Sequence, residues 1–313
     1  MSNSITKALI RERLQYIYTQ LLQGDFERNH IQSELHRLLA KSIELDLPLY
    51  QFEALKNLGV LHAILGELDQ GLDYHLQAQA IAEKNDYISG IFNILNNLSN
   101  IYDRIGQPEK ALQTVRQALE MAQTHPDLKP HIILAGTNLG NLLCKQELYL
   151  EAETIFKYCM QVYHDLMVNH RRDDIASRHL IAIYTGLAII YTEQHSYRIA
   201  REYATLAKSL LQDDTVFGRR LMAHLVTTRL AYYEPQSRTE LQDQLSQVEQ
   251  IIQQYAMLKG EIAHLLHCEA LYWHKRSKTE LARHFAHQAK QIYETFNDQN
   301  NLMAIEALLE VLL

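Results

Sequence analysis

The feature of this chain that most constrains its fold is a motif that recurs with constant internal spacing. Leucine and a small residue precede a large residue, and a glycine or alanine follows the large residue nine positions later. In one copy these positions are Leu98, Ser99, Tyr102 and Ala111. The step from large to small residue recurs at 62 to 71, 102 to 111, 143 to 152, 191 to 200 and 273 to 282. Self-similarity of this kind predicts a repeat architecture.

The pattern between the turns is typical of helices. Apolar residues follow the spacing i, i+3, i+4, i+7, and the prolines at 48, 108, 126, 130 and 235 interrupt it, as expected for turns or helix starts. Strand-type alternation and hairpin signals are absent from the sequence. Small residues at helix crossings allow two helices to approach within about 8–10 Å. We therefore predict an all-α stack of six helix pairs, or seven if the weak pair at 217–256 is counted in full.

These residues resemble the tetratricopeptide repeat over about residues 50–290. The intervals from Gly59 to Ser99, Gly140 and Ala188 are 40, 41 and 48 residues in turn, longer than the usual repeat of about 34 residues. The longer form is similar to repeats of kinesin light chains, of bacterial peptide-sensing regulators and of arrays fused to bacterial signalling enzymes. The resemblance implies a right-handed superhelical solenoid of antiparallel helix pairs, with a concave groove that binds peptides.

The strength of the repeat pattern divides the chain into three parts. We expect an N-terminal capping helix pair at 1–48 and the repeat array at 49–212. Degenerate and C-terminal helix pairs with a capping helix should fill 213–313. The two ends deviate most from the pattern, as capping repeats do. The apolar segment at 308–313 indicates either a continuation beyond this chain or a self-association surface, so a homodimer through the C-terminal helices is one expectation.

The resemblance implies that the first helix of each pair lines the groove. Asparagine is a poor helix-interior residue, yet four asparagines lie between residues 93 and 100. An amide offers donors and an acceptor, so it can bind the main chain of an extended peptide. The residues predicted to contact a partner are Asn93, Asn96, Asn100, Asp103, Thr137, Asn141 and Lys145. Secondary positions are Asn97, Asn138, Lys56 and Thr185.

Two alternatives for the asparagines remain open from the sequence. The groove asparagines could be solvated surface residues, or they could bind neighbouring helices. Asn57, Asn97 and Asn138 share one helical phase directly before a core leucine, which favours hydrogen bonds between helices for these three.

Composition excludes several partners and compartments. The chain has a net charge of −7, a pI near 6.1 and no basic stripe, so we expect no nucleic acid. The sequence contains no apolar run of about 18 residues and no secretory leader, so we expect no membrane span and a cytoplasmic location. The three cysteines, Cys144, Cys159 and Cys268, are few and far apart, which indicates a reduced compartment and not a disulfide framework.

Catalytic and metal signals are weak. His264, His267 and His274 share one helical stripe, but no carboxylate or cysteine completes a metal site, and we interpret the stripe as a polar end of the groove. The sequence has no glycine-rich phosphate loop, nucleophile elbow or paired-cysteine site. We therefore predict a non-enzymatic scaffold, without cofactor or metal, that binds a protein or peptide. The alternative is a ligand- or peptide-sensing regulatory module of a bacterial signalling or transcription system.

Overall fold

The computed structural model describes residues 2–23, 26–168, 174–211, 217–254, 259–296 and 299–312. In these residues it contains fifteen α-helices and one 3₁₀ helix, and it contains no strand. The first helices are α1 (Ser2–Gln23), α2 (Arg28–Glu44), α3 (Pro48–Ile64), α4 (Leu68–Lys84), α5 (Ile88–Arg104), α6 (Pro108–Thr124), the 3₁₀ helix (Pro126–His131), α7 (Ile132–Lys145) and α8 (Tyr149–Val168). The others are α9 (Asp174–Glu193), α10 (Tyr197–Ser209), α11 (Phe217–Tyr233), α12 (Glu240–Gln254), α13 (Lys259–Lys275), α14 (Thr279–Phe296) and α15 (Gln299–Val311).

A short turn with one left-handed residue joins the two helices of each clear repeat. Gly66 and Gly106 have φ of 84° and 78°, and Glu147, His195 and Ser277 have φ of 61°, 57° and 57°. Each of the five lies four residues after the large residue of the motif. Because the left-handed region disfavours a Cβ, glycine is the usual residue there. Three of these turns therefore hold a strained non-glycine residue.

The hydrogen bonds of these turns explain the constant spacing of the motif. The amide of Gln107 donates to the carbonyl of Tyr102 at 2.8 Å, and that of Leu148 donates to Leu143 at 2.9 Å. This pattern is the Schellman motif, in which the residue after the left-handed one bonds back over five positions. The next helix can then begin at once. The turn therefore keeps a fixed separation between the large residue before it and the small residue after it. The predicted all-α stack of helix pairs is confirmed.

Small residues make the helix contacts close. The positions nine residues after each large residue are buried, with alanine at 111, 152, 200 and 282 and glycine at 71. A Cβ added to Gly59 would lie 2.1 Å from the Nδ1 of His75, so the imidazole fills the space that a side chain would need. The Phe156 ring lies against Gly140 and Gly186 in the same manner. Glycine at these positions therefore makes room for a ring from the neighbouring helix.

The helices form two compact units. One unit runs from Tyr87 to Ile251, and the other combines residues 1–86 with residues 252–313. The predicted three-part division stays a prediction, and its boundary between 212 and 213 lies outside the described residues. In the described part of the chain no helix is long and apolar enough to cross a membrane.

The unit that combines both ends of the chain contains a contact between distant repeats. A Cβ on Gly260, in the first turn of α13, would lie 2.4 Å from the backbone nitrogen of Gly66 and 2.8 Å from the carbonyl oxygen of Ile64. In a simple solenoid each repeat touches only its neighbours. Here the positive N-terminal end of α13 meets the negative C-terminal end of α3, which is a favourable dipole arrangement.

Candidate functional site

Two first helices of adjacent pairs, α5 and α7, carry most of the residues assigned to the groove. The polar residues on each helix recur at intervals of three and four, so they lie on one face. We call this face the polar strip. It consists of Asn96, Asn100, Asp103, Asn138, Asn141 and Lys145.

Two cross-helix interactions connect the sides of the polar strip. The Nδ2 of Asn138 donates to the Oδ1 of Asn96 at 3.0 Å, and the Nζ of Lys145 donates to the Oδ2 of Asp103 at 2.5 Å. On each helix the two linked residues are two turns apart, which is about 10 Å. These links therefore hold α5 and α7 at a defined separation over the length of the strip.

Asn100 and Asn141 lie between the two links, one on each helix. Both side chains are exposed, and neither forms a hydrogen bond with another described residue. Each amide keeps two donor hydrogens and an acceptor oxygen for an external group. The polar strip thus presents a pair of uncommitted amides at positions that the protein itself keeps fixed.

Other predicted positions on these helices are used inside the protein. Asn96 is 4% exposed, and its Nδ2 also donates to the carbonyl of Phe92 at 2.9 Å. Thr137 is buried and donates to the carbonyl of Ile133 at 2.6 Å. Asn93 and Asn97 are half-buried on α5. Asn96 and Thr137 consequently shape the strip from beneath, whereas Asn100 and Asn141 form its accessible surface.

The unit that combines both ends of the chain also has a polar residue that links two helices, here α1 and α3. Asn57 of α3 donates to the carbonyl of Leu14 in α1 at 3.0 Å, at the repeat position that Asn138 holds in α7. The ammonium of Lys56 pairs with Glu53 and lies 4.9 Å from the ring centroid of Tyr18. The secondary position Lys56 is therefore largely covered and engaged within its own unit.

The secondary position Thr185, on α9, has a different environment. Its side chain is buried, and its hydroxyl has no hydrogen-bond partner among the described residues. A buried hydroxyl without a partner is uncommon and costs about 1–3 kcal/mol. Thr185 differs in this respect from Thr192 on the same helix, which donates to the carbonyl of Ala188 at 2.7 Å.

The sequence analysis did not predict the charged residues that lie near the polar strip. Arg229 of α11 is buried, and its charge and that of Glu193 both act on the Cys144 thiol, which is next to Lys145. Burial is the larger influence and raises the pKa of Cys144 to about 12. The repeat pattern gave no signal for Arg229, because the pair α11 and α12 lacks the motif.

The histidines of the last repeat have separate interactions. The Nε2 of His264 lies 3.7 Å from the Sγ of Cys268, and the Nδ1 of His267 lies 3.4 Å from the hydroxyl of Tyr293. Among the described residues no group of three or more histidine, cysteine, aspartate or glutamate side chains has the geometry to hold a metal ion.

Comparison with known proteins agrees with the repeat geometry. Residues 50–124, which contain α3 to α6, match the tetratricopeptide repeat family. This segment of the chain is similar to the tetratricopeptide repeat. No curated protein matches this chain by sequence.

Solved structures share the fold of this chain. A Rap protein complexed with competence and sporulation factor aligns with a TM-score of 0.67 and 18% identity, covering 92% of this chain and 74% of the other. The apo form of RapI aligns with a TM-score of 0.65 and 11% identity, covering 90% of this chain and 99% of the other. NprR in complex with its cognate peptide NprX aligns with a TM-score of 0.63 and 15% identity, covering 97% of this chain and 85% of the other. At these identities the likeness concerns the fold.

Proposed function

We propose that this chain is a non-enzymatic scaffold of the tetratricopeptide-repeat type that binds an extended protein or peptide segment along the polar strip. The observation that carries the proposal is the pair of exposed amides, Asn100 and Asn141, held between two cross-helix links. Such amides can bond to the main chain of a segment whatever its side chains are. Two proteins of similar fold are described in complex with a signalling factor or a cognate peptide, which supports a partner of this class.

The linked residues have a positioning role in this proposal. Asn96 and Asn138 fix one end of the strip, and Asp103 and Lys145 fix the other. A receptor that is already ordered loses less entropy when it binds an extended segment. The Asp103 and Lys145 pair also places one charge of each sign beside the segment, so we expect it to influence which side chains are accepted there.

Buried thiols support a role without nucleophilic catalysis. Burial raises the pKa of both Cys144 and Cys159 to about 12, so neither forms a thiolate near neutral pH. We expect binding without a cofactor, a metal, nucleic acid or a membrane, in the cytoplasm.

Affinity selection tests the proposed function. A random heptapeptide library is selected against the immobilised protein, and the dissociation constant of the best peptide is measured by calorimetry. Asn100→Ala and Asn141→Ala should each weaken binding about tenfold, because each removes main-chain hydrogen bonds. Gln77→Ala serves as a matched control, since Gln77 is an exposed amide on the second helix of a pair, bonded to Asp73 at 2.7 Å. Unchanged affinity in both asparagine variants would show that the polar strip is not the binding site.

The contact between Gly260 and Gly66 favours a second candidate function, a peptide-sensing regulatory module of a bacterial signalling or transcription system. An array in which distant repeats touch has two arrangements, contact made and contact broken, between which a ligand can select. Small-angle X-ray scattering with the selected peptide distinguishes the two functions. A changed radius of gyration favours the sensor, and an unchanged radius favours the rigid scaffold.

The last helix supports the predicted homodimer. Met303 and Val311 lie two turns apart on α15 and are both exposed. An apolar face of this kind is suited to association with a second copy. Light scattering after size exclusion should give the mass of a dimer for the wild type and of a monomer for Met303→Lys. A monomeric wild type would contradict the prediction.

A further inference from the structure

The first two helices form a pocket that shares no residue with the polar strip. Residues at spacing i, i+4 on α1 (Leu9, Arg13) and at spacing i, i+4, i+7 on α2 (His30, Glu34, Arg37) line it. The pocket between them has a volume of 410 Å³. We call it the basic pocket, and its lining residues are Leu9, Arg13, His30, Ser33, Glu34 and Arg37.

Glu34 and Arg13 form the base of the basic pocket. The Nε of Arg13 donates to one carboxylate oxygen of Glu34 at 2.8 Å, and the Nη2 donates to the other at 2.6 Å. Glu34 is 7% exposed, and the Arg13 guanidinium is the main reason that its pKa lies below the usual value. This bidentate pair uses both oxygens of the carboxylate.

Arg37 and His30 line the pocket beside Glu34 and are not hydrogen-bonded to it. Their nitrogens lie 3.6 Å and 3.7 Å from Glu34, beyond normal hydrogen-bond length, and the side chains are 76% and 67% exposed. Among the described residues no second carboxylate pairs with Arg13 or Arg37. Two guanidinium groups therefore share one carboxylate, and the pocket is locally positive on a chain whose net charge is −7.

Apolar side chains border this charge. Leu9 and Tyr16 are more than half exposed, and the guanidinium of Arg13 lies 5.2 Å from the centroid of the Tyr16 ring. A free inorganic anion has no apolar surface that could pack on Leu9 or Tyr16. An acidic side chain with an apolar neighbour in the same segment uses both parts of the surface.

We propose that the basic pocket binds an acidic segment of a partner protein. A carboxylate of the segment accepts hydrogen bonds from Arg37 and His30, neither of which is hydrogen-bonded to Glu34, and a neighbouring apolar residue packs on Leu9. Arginine suits this role because its planar group matches a carboxylate. The pocket is formed by α1 and α2 and the polar strip by α5 and α7, so the two sites share no residue.

Fluorescence anisotropy with two labelled peptides tests the proposal on the full chain. The acidic probe has the sequence LEELEEL, and its neutral counterpart has the sequence LQQLQQL. We expect the wild type to bind the acidic probe at least about tenfold more tightly than the neutral one, as a charge-assisted contact provides. Equal binding of the two probes would overturn the proposal.

A charge-reversal variant with a matched control locates the binding. Arg37→Glu leaves the Arg13 and Glu34 pair intact and should lower the affinity for the acidic probe about tenfold. Arg198→Glu makes the same charge change on α10 at a residue that is 84% exposed and bonded only through an i, i+4 pair. Affinity should be unchanged in this control. An equal loss in both variants would show a non-specific charge effect and overturn the proposal.

Two further measurements distinguish a segment-binding pocket from a simple anion site and from binding on the polar strip. Inorganic phosphate at the probe's own concentration should not displace the acidic probe, and displacement would show a simple anion site and overturn the proposal. The double variant Asn100→Ala and Asn141→Ala should bind the probe as the wild type does. Loss of the probe in that variant would place it on the polar strip and overturn the proposal, whereas retention leaves the basic pocket independent of the function proposed for the strip.

Discussion

The Phe156 ring is packed against two helices that both have glycine where they meet it. A Cβ added to Gly186 of α9 would lie 2.3 Å from the Cζ of Phe156, and one added to Gly140 of α7 would lie 2.6 Å from its Cε1. Carbon atoms in favourable contact are about 3.5–4.0 Å apart. In Gly186→Ala, therefore, either the buried ring or α9 has to move by about 1 Å or more.

The expected magnitude follows from two opposing contributions. Overpacking a core typically costs about 1–3 kcal/mol. Replacing glycine by alanine inside a helix recovers about 1 kcal/mol. Because the shortfall in distance is large and Phe156 is fully buried, the cost should lie near the upper limit. We expect Gly186→Ala to lower the free energy of unfolding by about 2 kcal/mol.

Urea unfolding followed by circular dichroism measures this change. The reference is Gly106→Ala, where an added Cβ meets nothing within 4 Å but the residue has φ of 78°, so only backbone strain of about 1–2 kcal/mol applies. The decisive comparison places Gly186→Ala in a Phe156→Leu background. If the ring causes the cost, alanine should be tolerated or favourable there. An equal cost in both backgrounds would refute a steric origin.

Three further features each allow a test. Glu147→Gly should raise the free energy of unfolding by about 1 kcal/mol, because Glu147 has φ of 61°, and absence of any gain in urea unfolding would contradict strain at this turn. Burial lowers the pKa of His75 from 6.5 to about 4, so the unfolded chain binds a proton that the folded protein does not; stability should be complete above pH 6.5 and fall by up to about 3 kcal/mol towards pH 4. His75→Asn should reduce this pH dependence of unfolding, and an unchanged dependence would exclude His75 as its source. Gly260→Ala should increase the radius of gyration in small-angle scattering while helicity is retained, because the new Cβ would lie 2.4 Å from backbone of Gly66, and an unchanged radius would show that the contact adapts.

Several elements of the candidate site could be read from the sequence. The phase of Asn96, Asn100 and Asp103 placed them on one helical face, and the structure puts them there. Their roles could not be assigned in this way. Asn96 and Asn100 have the same phase, yet Asn96 bonds to Asn138 and Asn100 is exposed. The difference depends on the distance between α5 and α7, and side-chain periodicity carries no information about that distance.

The turns show the same division. Glycine, the usual signal for a left-handed turn residue, is present at two of the five turns. Glu147, His195 and Ser277 adopt the left-handed conformation without this signal, because packing on both sides requires the same turn geometry there. Local propensity was overruled by the surrounding structure, as is usual where tertiary contacts dominate.

Residue spacing and small residues at helix crossings were sufficient to predict a protein built of helix pairs, because both are local properties that recur in each copy. The exposure of each polar residue, the packing of a neighbouring ring against some glycines and the contact of Gly260 with Gly66 became known from the packed structure. These outcomes depend on how far apart two helices lie once all side chains are packed, and residues distant in the chain set that separation together.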